Sequence, residues 1–137
     1  MPNDKVTFLA YFTQPNRILF GSKDGCVTFY NVAKRETTSF VLHKETRSGM
    51  SRILSVLELP SKVADVRKHI YYILSTGNLY AMSKEDRQIQ QQFYKGDYSV
   101  RNRPRLLQTQ ILQMSNQFAL ALIVEGGTLL ILDPMTL

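Results

Sequence analysis

The chain has 137 residues, 44% of them hydrophobic and 20% charged, enough apolar material for one folded domain and too little compositional bias for a disordered or collagen-like chain. Its 17 Lys and Arg against 11 Asp and Glu give a net charge of +6, a sign that favours acidic partners without choosing among acidic peptide, nucleic acid and anionic lipid. One cysteine, Cys26, excludes an internal disulfide, and the longest apolar run, Phe118–Val124, is far too short for a membrane-spanning helix.

Taken in chain order, the first predicted strand is Val6–Phe12. Ile18–Val32 (ILFGSKDGCVTFYNV) follows as a hairpin with its turn at Lys23-Asp24-Gly25, and Thr37–His43 as another strand. Ile53–Leu59 opens the next group. Ser61–Lys68 reads equally as a short helix or an extended loop. Tyr72–Lys84 is a second hairpin, turning at Ser75-Thr76-Gly77, and Gln88–Phe93 a further strand. Leu106–Gln113 has Gln between its Leu and Ile residues and also fits a turn or two of helix; its place in the series favours a strand. Leu120–Pro134 is a third hairpin, turning at Glu125-Gly126-Gly127, with no strand after it.

The three hairpins are copies of one pattern. Gly25, Gly77 and Gly127 lie 52 and 50 residues apart, near the period of about 50 typical of kelch repeats and above the ~40–45 of WD repeats. Glycine suits these turns because a tight hairpin needs positive φ at one position. Counting forward from each glycine, the second position is Val27, Leu79 or Leu129 and the fourth is Phe29, Ala81 or Ile131. Residues two apart share one face of a strand, so each copy is expected to bury this face. The units run over residues 1–46, 47–96 and 97–137, with four, four and three strands.

The first hairpin resembles the end of a WD repeat, in which a turn ending Asp-Gly leads into an alternating strand that closes on Trp-Asp. Tyr30-Asn31, Met82-Ser83 and Leu132-Asp133 stand where that pair falls, and only Asp133 matches it. Trp is absent throughout, and so is the Gly-His pair that often opens such a repeat. The resemblance implies an all-β fold: an incomplete WD-like β-propeller of about three four-stranded antiparallel blades, the last lacking its outer strand. Propellers close with about 4–8 blades. Fewer than three full blades therefore imply part of a longer propeller, or completion by another chain or copy. A compact β-sandwich is the competing architecture.

Catalytic chemistry finds little support. Cys26, His43 and His69 are not spaced to meet, Cys26 reads as packing at a strand start, and no metal-ligand or phosphate-loop motif occurs. No enzyme activity, cofactor or metal is expected. The candidate interaction surface is basic. The WD resemblance puts the loops between units and the hairpin turns on one rim, which carries Lys23, then Lys44, Arg47 and Arg52, then Lys95, Tyr98, Arg101, Arg103 and Arg105. Arginine suits bidentate contacts to carboxylate or phosphate, and tyrosine gives flat contact area. The expected function is a non-enzymatic scaffold inside the cell, holding a protein or peptide partner, an acidic one by charge, in a larger complex. Nucleic-acid binding through the same loops is the second reading.

Overall fold

The computed structural model describes residues 6–13, 16–42, 50–59, 70–94, 104–115 and 117–137. Among these the secondary structure is entirely β: eleven strands in three antiparallel sheets. The first sheet holds β1 (Val6–Thr13), β2 (Asn16–Ser22), β3 (Cys26–Asn31) and β4 (Glu36–Val41), side by side in chain order. The middle sheet repeats this with β5 (Ile53–Glu58), β6 (Ile70–Ser75), β7 (Leu79–Ser83) and β8 (Ile89–Gln92). The third has β9 (Leu106–Met114), β10 (Gln117–Val124) and β11 (Thr128–Leu132), leaving β11 at the edge. The stretch that also fitted a helix, Leu106–Gln113, is a strand because Phe118–Val124 pairs with it along its length, with one register shift between Ile123 and Val124. The Ser61–Lys68 segment lies outside the described residues.

The sheets stack face to face with the middle one buried on both sides. Every residue of β6 and β7 is buried, which is why both read as unbroken apolar runs and not as alternating ones. Alternation then divides their side chains between two cores. Tyr71, Ile73, Tyr80 and Met82 meet Phe12, Leu19, Val27 and Phe29 of the first sheet. Tyr72, Leu74, Leu79 and Ala81 meet Leu106, Leu120 and Leu122 of the third, with Leu130 and Leu132 packed against them. In repeat terms, the second and fourth post-turn positions of one unit pack on the third and fifth positions of the next, and this happens twice.

That rule corrects one expectation. Val27 and Phe29, and Leu79 and Ala81, are buried as their pattern requires, but Leu129 is 60% and Ile131 52% exposed. Their face of the third sheet is turned away from the middle sheet, and among the described residues no further sheet lies on it. Leu130 and Leu132, on the other face, make the contact instead.

The turns are built in different ways. Gly25 and Gly127 have φ of +84° and +89°, the left-handed region that favours glycine. Around the middle turn, side chains complete the bonding. Ser75 Oγ accepts from Asn78 N at 3.0 Å, and Asn78 Oδ1 accepts from the backbone N–H of Leu79 and of Tyr94, both at 2.9 Å. Asn78 Nδ2 donates to Gln92 Oε1 and Tyr94 O, so this fully buried amide uses both ends. The first two sheets come close at Gly21, where an added Cβ would lie 2.4 Å from Ile53 Cγ2.

Candidate functional site

The three hairpin turns lie beside the described residues that lead into β5 and β9. Gly25 sits against Ser51, whose carbonyl oxygen would be 3.2 Å from an added Cβ. Thr76 N donates to Arg52 O at 3.0 Å, and Thr76 O accepts from Leu106 N at 2.8 Å. Glu125 N donates to Arg105 O at 2.9 Å, and Arg105 N returns a bond to Glu125 Oε2 at 3.1 Å. These contacts tie the three turns to the starts of β5 and β9 and bring Lys23, Arg52 and Arg105 to the same rim. Lys23 and Arg52 are exposed, and Arg105 is partly exposed. The remaining predicted rim residues, Lys44, Arg47, Lys95, Tyr98, Arg101 and Arg103, lie outside the described residues.

The first turn is closed by Ser22, whose Oγ accepts from Cys26 N at 3.1 Å and Asp24 N at 3.3 Å. Its neighbour Cys26 is buried, with Sγ 4.0 Å from Thr28 Oγ1, and Thr28 Oγ1 is 2.8 Å from Ser39 Oγ. A buried thiol packed beside hydroxyls at a strand start lacks the exposure that makes a cysteine reactive. His43 and His69 lie outside the described residues. Among the described residues, no three His, Cys, Asp or Glu side chains gather as metal ligands would.

A second charged cluster, which sequence reasoning missed, lies between the first and middle sheets. Lys84, its side chain only 9% exposed, forms an ion pair with Glu58, and its ammonium lies 4.7 Å from the centre of the Tyr71 ring. The Arg87 guanidinium lies 5.4 Å from the centre of the Phe29 ring. Tyr71 packs against Phe12 and Phe29 with centroid separations of 5.2 and 5.7 Å. Its hydroxyl and the Arg17 Nε are buried without a hydrogen-bond partner. Burial first, and the Glu58 carboxylate second, push the Tyr71 phenol up to about 12, with Arg17 and Arg87 pulling the other way. Arg17 sits on β2, Glu58 on β5 and Tyr71 on β6, with Lys84 and Arg87 just beyond β7, far apart in the chain, so no local motif announces them.

No protein-family model matches the chain, and no curated protein matches it as a relative.

Proposed function

We propose that the chain is a non-enzymatic interaction scaffold, a WD-like propeller segment of about three blades that presents its basic rim to a protein or peptide partner in a larger intracellular complex. The observation that carries this reading is the repeated packing of successive sheets, second and fourth positions on third and fifth. The strongest contacts between sheets also run through their first two strands: β1 and β2 against β5, and β5 and β6 against β9. Sheets that approach along their first strands are compatible with radial blades, in which those strands line an axis. Such a fold carries function on the loops at its rim.

The rim chemistry supports an acidic partner. Lys23, Arg52 and Arg105 are separated in sequence and tied together by backbone contacts, so they present charge on a built surface. Fluorescence anisotropy with a labelled Asp/Glu-rich peptide tests this at low salt. The reading expects saturable binding, weakened at least tenfold in the K23E/R52E/R105E variant. Equal binding by that variant, or binding confined to a labelled single-stranded RNA, would overturn it.

A further inference from the structure

The stack ends in two faces of opposite kind, each exposing apolar side chains among uncharged polar ones. At one end, the third sheet presents its second and fourth positions, Leu129 and Ile131, with Ile123 of β10 beside them, since Ile123 pairs with Leu129. At the other end lies the outer face of the first sheet, which includes its third position, Thr28, buried, and its fifth, Tyr30, half-buried. Leu9 there is 66% and Val41 61% exposed, and Val6 and half-buried Phe20 flank them. Strand register places no charged side chain on either face. The only charged strand residues in these two sheets are Arg17, paired with Phe12, and Glu36, paired with Asn31, both in line with the inward-facing residues. In a chain with one residue in five charged, two uncharged sheet faces are surfaces suited to burial.

We infer that these faces join, head to tail, between two copies of this chain. Each internal junction sets a second-and-fourth face on a third-and-fifth face, and these two partly exposed faces match the two halves of one more such junction. A second copy carries the required partner face for both ends. The contact is heterologous, because the two surfaces differ, and so it generates either a closed ring or an open series according to the rotation it imposes. The inference rests on the stack and not on the scaffold reading. A closed dimer of six sheets would favour the propeller, an open series would count against the propeller, and both require the junction.

Sedimentation velocity separates the cases, using the whole chain and the variants Leu9→Asp and Leu129→Asp, each checked for β-sheet circular dichroism. The unaltered chain should sediment as a dimer or larger species that dissociates on dilution. Each variant alone should be monomeric, because each has lost one half of every junction. Mixed together, they should form a 1:1 pair and nothing larger, since Leu9→Asp retains an intact third-sheet face and Leu129→Asp an intact first-sheet face. If Leu9→Asp does not fold, Val41→Asp takes its place. A monomeric unaltered chain at about 100 μM would overturn the inference and leave the faces to a different chain. Undiminished self-association by either variant alone, or failure of the mixture to pair, would also overturn it.

Discussion

Replacing Gly21 with Ala probes a close approach of the first two sheets. Gly21 is in β2, paired with Phe8 on one side and Val27 on the other, and an added Cβ would meet Ile53 Cγ2 at 2.4 Å, Cβ at 2.6 Å and Cγ1 at 3.1 Å. Carbon atoms in ordinary contact stand about 3.5–4.0 Å apart, so the sheets would have to separate locally by roughly 1 Å. Rotation of Ile53 gives no escape, because its own Cβ is fixed to the backbone of β5. Overpacking of this kind costs about 1–3 kcal/mol, and a clash between two backbone-anchored atoms belongs at the upper end. Relief of glycine's strand entropy returns about 0.5–1 kcal/mol, for a net loss near 2 kcal/mol. For a chain of this length that is a fall in Tm of about 6–10 °C, readable by circular dichroism or calorimetry. Adding Ile53→Ala removes two of the three clashing atoms, so the double variant should be about 1 kcal/mol more stable than the sum of the single losses predicts. An unchanged Tm in Gly21→Ala, or strict additivity in the double variant, would refute the packing argument.

Other outcomes follow from the same structure. Tyr71 holds its proton more tightly folded than unfolded, so its contribution is complete below pH 10 and lost as pH rises toward 12. At about 1.4 kcal/mol per unit this is roughly 3 kcal/mol, and urea melts across that range should show the loss in the unaltered chain and a smaller one in Tyr71→Phe. Because the Tyr71 hydroxyl has no partner, Tyr71→Phe at pH 7 should be neutral or stabilising by about 1 kcal/mol, and a large loss would point to a bond the structure lacks. Glu58→Gln strands the Lys84 ammonium in a nearly buried position, and chemical denaturation should report a loss near the lower end of about 3–5 kcal/mol, because Glu58 is partly exposed. Asn78→Leu, close in volume, leaves the Leu79 and Tyr94 N–H groups and the Tyr94 carbonyl without their side-chain partner. It should cost about 2–4 kcal/mol and raise amide exchange at Tyr94 first.

Much of the fold was legible because its signals are local. A polar turn with glycine between two apolar runs marks a hairpin wherever it occurs, and the alternation after the glycine assigns faces without knowledge of neighbours. The same locality explains the error at Leu129 and Ile131. Alternation shows that a strand has an apolar face, while burial depends on whether another sheet lies on it. Leu106–Met114 was ambiguous for a related reason, since its strand identity comes from β10 and not from its own Leu and Gln spacing. The rim was partly legible: Lys23, Arg52 and Arg105 do share an edge, tied together by the turns at Gly25, Thr76 and Glu125. The seam of Arg17, Glu58, Tyr71 and Lys84 was hidden because four unremarkable residues become a cluster only when two sheets close over them.

The middle sheet is sandwiched, with adjacent residues pointing into different cores. Tyr71 and Tyr72 test it directly, because Tyr71 packs on Phe12 and Phe29 while the Tyr72 hydroxyl donates to Pro134 O at 2.9 Å. In a nuclear Overhauser spectrum with these rings selectively labelled, Tyr71 should show cross-peaks to Phe12 and Phe29, and Tyr72 to Pro134 and its neighbours. Cross-peaks from both tyrosines to the same sheet, or from Tyr72 to Phe29, would contradict the stacked arrangement.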